Sequence, residues 1–322
     1  MIDRRHRQNV IRFIQIAFAI GILVWLWQVV GGEQAVLLLA EAEPIWLIAS
    51  FLVLTIQTAL SALRWKITAR DLGIKFSTKT ALSEYYLAQL VNQAVPGGII
   101  GDAGRAFRSR NAAGLLSSSQ AVVFERVSGQ VGLFVVMASA FGLTLVIPGG
   151  IDWPQWILLT IAGAAVAGLF LVLSLSLVTR ISTGAPGRGL RSFEAAWKKV
   201  FATPSSVSTQ VLLSLGTAIC NVAGFTFAAW AVGSSLSFSL SLVLVPIILL
   251  AMLIPLTVSG WGLREGVAVA LFPIAGLAAV EGLAASVAFG LIFLLVSLPG
   301  LLFAGSSRSK YLSSDEAMAK TI

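Results

Sequence analysis

Very little in this chain could hold a metal or form a covalent intermediate. It has one cysteine, Cys220, and one histidine, His6. A lone cysteine excludes an intrachain disulfide, a thiolate zinc site and an iron–sulfur cluster. A lone histidine in a basic tail removes histidine metal centres and Ser-His-Asp chemistry. Neither a Gly-x4-Gly-Lys-Ser/Thr phosphate loop nor a Gly-x-Ser-x-Gly nucleophile elbow occurs. No cofactor and no metal are therefore expected.

Charge is scarce as well. Only 11% of the 322 residues are charged, whereas 57% are hydrophobic. A soluble domain carries roughly a quarter charged residues, so there is too little polar surface here to cover a water-soluble globule. An all-α polytopic membrane protein is the class that fits. The net charge of +8 does not point to nucleic acid, because of how the charge is placed. Twenty of the 22 Lys and Arg fall in five stretches, 1–12, 64–80, 101–110, 179–205 and 305–322. Short basic stretches beside apolar runs are topology signals.

Six segments read as full spans: about 11–30, 45–63, 120–147, 155–178, 208–232 and 282–304. Arg4, Arg5 and Arg7 put the N-terminus in the cytoplasm, and the run behind them is long for a cleaved signal peptide. The loop with Glu33, Glu41 and Glu43 reads as external. The stretch with Arg64, Lys66, Arg70, Lys75 and Lys79 reads as an internal loop, and the tail 305–322 is expected to be cytoplasmic too. Trp46, Trp65, Trp153 and Trp156 read as interface anchors.

Two regions do not read as simple spans. Residues 81–94 are too short to cross and stop at Pro96-Gly97-Gly98, after which 101–112 brings the chain back. Residues 239–277 break between Pro255 and Gly262, although two complete spans there also suit the charges. The breaks share a pattern, Pro96-x4-Gly101-x3-Arg105 and Pro255-x4-Gly260-x3-Arg264. The order span, span, broken hairpin, span then occurs twice, with repeat 1 at about 11–147 and repeat 2 at about 155–304. Three full crossings per unit make the repeat inverted. Together 1–304 form one transmembrane domain. Duplicated broken helices mark transporter binding sites, and broken backbone at membrane depth needs protein or a water-filled cavity around it.

Half-helix N-termini attract anions, and arginine grips phosphate with two N–H groups. Arg105 and Arg264 each follow a break, so a lipid phosphate suits them; packing devices are the plainer reading. Glu125-Arg126 and Arg264-Glu265 are adjacent charges that point about 100° apart on a helix. They are expected to pair across the repeats, Glu125 with Arg264 or Arg126 with Glu265. Asp102 reads as a helix N-cap or as a group for a substrate cation or a proton. Arg108 and Arg110 read as topology residues, Asn221 as a helix–helix hydrogen bond, and Ser286 with Gly290 as a packing face. The candidate substrate-binding set is Asn92, Pro96, Gly97, Gly98, Gly101, Asp102, Arg105, Glu125, Arg126, Pro255, Ser259, Gly260, Gly262, Arg264 and Glu265, with no catalytic residue.

The strings NQAVPGGIIGDAGR (92–105), FERV (124–127) and IPLTVSGWGLREG (254–266), with Arg64-Trp65, resemble the lysylphosphatidylglycerol synthase transmembrane region, or flippase-like domain family. The resemblance implies a bacterial or archaeal protein of the cytoplasmic membrane with inverted repeats and re-entrant helices. It also implies that Asp102, Arg105, Glu125, Arg126, Arg264 and Glu265 line a lipid path. The sequence ends at Ile322, with no room for the soluble aminoacyl-transfer domain of the named synthase, so a transporter rather than an enzyme is expected. Its partner would be a membrane phospholipid or lipid-linked substrate. A membrane enzyme acting on a lipid, a scaffold of lipid synthesis, and a homo-oligomer stay open.

Overall fold

A proline start and a glycine stop define two of the long helices, 44–71 and 204–231. In the computed structural model, residues 4–95, 98–146, 185–253 and 259–304 are described, with isolated positions in 147–184 and Thr257. The expected span 155–178, the tail 305–322, and Pro96, Gly97 and Pro255 lie outside the described residues. The chain forms α1 (Arg4–Val30), α2 (Gly32–Ala40), α3 (Pro44–Asp71), α4 (Thr78–Ala94), α5 (Ile100–Arg108) and α6 (Arg110–Val146). It continues with α7 (Ala185–Val200), α8 (Pro204–Ala231), α9 (Phe238–Leu250), α10 (Leu263–Leu271), α11 (Ala279–Ser297) and α12 (Gly300–Phe303). No strand occurs among the described residues.

Five helices are long and apolar enough to cross a membrane, within 13–30, 44–71, 113–146, 204–231 and 279–303. The chain is a multi-pass membrane protein. Its apolar surface suits a lipid solvent: Phe13, Trp25, Leu52, Ile56, Leu212 and Leu302 all face outward.

α3 and α8 are built alike. Each has 28 residues and a proline in its first turn. Each ends in a left-handed glycine, Gly73 (φ 92) or Gly233 (φ 79). The N–H groups of Gly73 and Ile74 donate to the carbonyls of Arg70 and Ala69; those of Gly233 and Ser234 donate to Trp230 and Ala229. Both therefore close with a Schellman turn. Ser77 and Ser237 then cap the next helices, accepting from the N–H of Thr80 (3.1 Å) and Leu240 (3.3 Å). Pro44, Gly73 and Ser77 thus recur as Pro204, Gly233 and Ser237, each 160 positions later.

The two copies pack against each other in opposite directions. At one end, Glu43 N–H donates to the Ala231 carbonyl at 2.8 Å. In the middle, Ser50 Oγ donates to the Gly224 carbonyl at 2.7 Å. At the other end, Gln210 Nε2 donates to Thr68 Oγ1 at 2.9 Å. The start of one copy lies beside the end of the other, as an antiparallel pair requires.

Several expected boundaries move. α3 runs two turns past residue 63, so Arg64 and Trp65 are not in an internal loop or at an interface. Both are buried, at 3% and 1% exposure. The returning segment 101–112 is α5, and α6 begins at Arg110 with a non-helical step at Ala113 and Gly114. The segment 239–277 contains α9, a 3-10 turn at 251–253, and the short α10. Two apolar cores result, a large one around Leu54, Phe225, Leu244 and Phe289 and a smaller one around Trp65, Tyr85 and Phe124.

Candidate functional site

The first break begins where α4 gives way at Val95 to an extended backbone. Asn92 joins the two half-helices. Its Oδ1 accepts from Gly101 N–H at 2.7 Å and its Nδ2 donates to Asp102 Oδ2 at 3.1 Å. Gly101 packs directly on the backbone of Ala88, where a β-carbon would overlap the carbonyl. Asp102 is therefore not the N-cap; Ile99 holds that position and Asp102 sits in the first turn.

Behind this break lies a buried charge cluster. Glu125 is fully buried. Its Oε2 accepts from Arg105 NH2 at 2.6 Å. Its Oε1 accepts from Arg64 NH2 at 2.8 Å and from Tyr85 OH at 3.2 Å. The Arg105 guanidinium is held between Trp65 and Tyr85, 4.9 and 4.7 Å from the ring centres. Its Nε lies 3.0 Å from Asp102 Oδ1, but not aligned for a hydrogen bond. Arg64 NH1 donates to Thr217 Oγ1 at 2.8 Å, which ties the cluster to α8.

Arg126 points elsewhere. Its neighbour Glu125 faces α3 and α5, and a step of about 100° turns Arg126 to the other side of α6. There NH2 lies 2.7 Å from Asp102 Oδ2, and 44% of the side chain is exposed. Three guanidinium groups thus meet two carboxylates, leaving the cluster formally one charge positive.

The second break is built differently. Ser259 (φ 50), Gly260 (φ 82) and Gly262 (φ 88) carry the chain through left-handed turns. Glu265 reaches back to accept from Gly262 N–H at 2.6 Å. The same carboxylate binds Arg264, whose NH2 also donates to the Ser286 carbonyl at 2.9 Å. Arg264 is 1% exposed and lies over Trp261 and Phe289.

The expected cross-repeat pairs, Glu125 with Arg264 and Arg126 with Glu265, do not form. Each arginine after a break meets a carboxylate of its own half. The arginine stem is long and flexible enough for adjacent Arg264 and Glu265 to pair, with Ser286 as their shared partner. Ser286 and Gly290 do form a packing face, but one that receives a guanidinium: a β-carbon at Gly290 would overlap Arg264. At each helix start one N–H is already taken: Asn92 accepts from Gly101 and Glu265 from Gly262. Arg108 is not a free surface charge; its Nε donates to Glu84 at 2.5 Å.

The two breaks do meet. Ser259 Oγ donates to Gln93 Oε1, and both halves line one cavity of about 530 Å³. Of the candidate set, Asn92, Gly98, Asp102, Arg126, Ser259 and Gly260 border it. Gly101, Arg105, Glu125, Gly262, Arg264 and Glu265 do not border it. Asn221, expected between helices, lines it as well, as do Gln57, Gln89 and Gln130. Exposed Ile99, Val127 and Val131 form part of the same wall, so the opening has an apolar rim. Among the described residues, no three His, Cys, Asp or Glu side chains gather as a metal site would need.

Arg64 and the glutamines were not among the candidate site residues of the sequence. Arg64 looks like one more loop arginine until α3 is extended past it. A helical projection of 44–71 would have put it on the same face as Gln57 and Ser61.

The family model of the lysylphosphatidylglycerol synthase TM region matches residues 12–300, and the chain belongs to this family. A comparison with curated proteins returns no match.

Proposed function

We propose that this protein is a lipid flippase, or a transporter of lipid head groups, that moves an anionic lipid or lipid-linked substrate between leaflets of the bacterial cytoplasmic membrane. The observation that carries this reading is Arg126. Its side chain is 44% exposed and lines a cavity bounded by two broken helices, in a cluster with one positive charge to spare. An intramembrane charge facing a cavity marks a substrate path. The apolar rim supports acyl chains that stay in the bilayer while the phosphate reaches Arg126.

The antiparallel copies α3 and α8 support an inverted repeat with re-entrant α4–α5 and α9–α10 hairpins. In that arrangement, rocking one half against the other exposes the cavity to each leaflet in turn. Both termini are cytoplasmic in this orientation. Lacking a nucleotide loop, movement is downhill or ion-coupled. The groups available for acid–base chemistry favour transport over catalysis: Asp102 is held by Arg126 and Asn92, and Glu125 is sealed from the cavity.

Reconstitution in liposomes tests this. Purified protein should move a labelled anionic phospholipid across the bilayer. Arg126→Ala should slow that transfer about 10- to 100-fold, as loss of a charge-assisted contact does, with partial activity kept by Arg126→Lys. Equal transfer by wild type and Arg126→Ala would overturn the reading. Chemical conversion of the lipid would favour a membrane enzyme, and neither transfer nor conversion a scaffold.

A further inference from the structure

Primary amides supply most of the polar side chains in a cavity wall that is otherwise largely apolar. Gln57, Gln89, Asn92, Gln93, Gln130 and Asn221 all line it. Amides are uncommon at membrane depth because each brings donors and acceptors that must be satisfied. Some of these are satisfied within the protein. Asn92 bonds Gly101 and Asp102, Gln93 accepts from Ser259, and Gln57 donates to Ser61. Others are not. Gln89 Oε1 accepts from Thr58 at 3.2 Å, but its buried Nε2 has no partner among the described residues. The same holds for the buried Thr257 Oγ1 on the opposite wall. Gln130 and Asn221 have no partner there either.

We infer that the head group beyond the phosphate is neutral and polyhydroxylated, a sugar or polyol rather than an aminoacyl or other cationic group. This rests on the transporter reading only for the phosphate at Arg126. A hydroxyl both donates and accepts, so it matches an amide, which does the same on a rigid plane. A cation buried at membrane depth is held best by a carboxylate with a free lone pair. The one carboxylate at the wall is Asp102: its Oδ2 already meets Arg126 at 2.7 Å and Asn92 at 3.1 Å, and its Oδ1 is buried 3.0 Å from the Arg105 guanidinium, away from the cavity. An ammonium group would also meet the spare positive charge of the cluster, which opposes it.

Competition for the purified full-length protein in detergent, read by native mass spectrometry, tests the head group directly. The probes are phosphatidylinositol, phosphatidic acid and lysylphosphatidylglycerol. Phosphatidylinositol should bind about tenfold more tightly than phosphatidic acid, which leaves the amides unpaired. Lysylphosphatidylglycerol should bind more weakly than phosphatidylinositol by at least that factor. Gln89→Leu with Gln130→Leu should bring phosphatidylinositol down to phosphatidic acid and leave phosphatidic acid unchanged; Asn221→Leu alone gives the same readout if the double variant does not fold. Equal binding of the three lipids, tighter binding of the lysyl lipid, or no binding at all overturns the inference. Leaflet transfer of phosphatidylinositol, measured separately in liposomes, separates the two readings. Selective binding without transfer sinks the transporter and leaves the head-group class standing. Transfer without selectivity does the reverse.

Discussion

The two breaks solve the same problem with different outcomes. Each puts an arginine four residues after a glycine, buries it on aromatic rings and gives it a glutamate. At the second break the pair is neutral and sealed, and Glu265 also closes the start of α10. At the first break the glutamate comes from another helix, Arg64 joins it from α3, and Asp102 links the cluster to Arg126 in the cavity. Similarly built helices therefore carry dissimilar charge clusters. The arginine of the second break is sealed, while the cluster of the first reaches the cavity through Arg126.

Removing the glutamates breaks this comparison most severely. Glu125→Gln leaves Arg64 and Arg105 buried together without their shared counter-charge. Breaking a buried pair costs about 3–5 kcal/mol, and two guanidinium groups facing one another put this variant at or above the upper end. Glu265→Gln strands one arginine that keeps Ser286, so it should lose less. Thermal unfolding in detergent should rank Glu125→Gln as the less stable. The opposite order would mean that the sealed pair, and not the cluster, is the main electrostatic support.

Next come the glycines that let helices touch. A β-carbon at Gly101 would overlap the Ala88 carbonyl, and one at Gly290 would overlap Arg264 and Trp261. Overpacking of this kind costs about 1–3 kcal/mol. Gly101→Ala meets backbone, which cannot swing away, whereas Gly290→Ala meets side chains already fixed by Glu265. Both should lower the unfolding temperature. Only Gly101→Ala should also weaken lipid binding, because it displaces Asp102 and Arg126. Weakened binding in Gly290→Ala would place the second break closer to the ligand than its geometry does.

The sequence made these breaks legible because proline, glycine and arginine recur there at matched spacing. It also held a second, longer signal in Pro44, Gly73 and Ser77 against Pro204, Gly233 and Ser237, which local motif reading passed over. Pairing was harder to read. Which carboxylate meets Arg105 depends on α6 crossing behind α5, and nothing local to residues 96–105 encodes that crossing. Arg64 was hidden by a general habit of membrane chains, in which arginines after an apolar run usually lie outside. Asn92 was a candidate and Asn221 was expected to bond between helices, but the glutamines of the cavity are spread over α3, α4 and α6, with only a three-dimensional arrangement to gather them.

The smallest effect probes the seam between the halves. Ser259 is the one non-glycine residue with positive φ among those described, and its hydroxyl donates to Gln93 across the seam. Ser259→Ala keeps the strained backbone and loses the bond, at about 0.5–1.5 kcal/mol. Ser259→Gly loses the same bond but relieves a left-handed conformation that costs an L-residue about 1–2 kcal/mol. The glycine variant should therefore unfold near the wild-type temperature and the alanine variant below it, although neither can bridge to Gln93. Stability and the seam are thereby uncoupled. If the bridge holds the cavity in one state, both variants should change the rate of lipid transfer alike. If only stability matters, the glycine variant alone should match wild type.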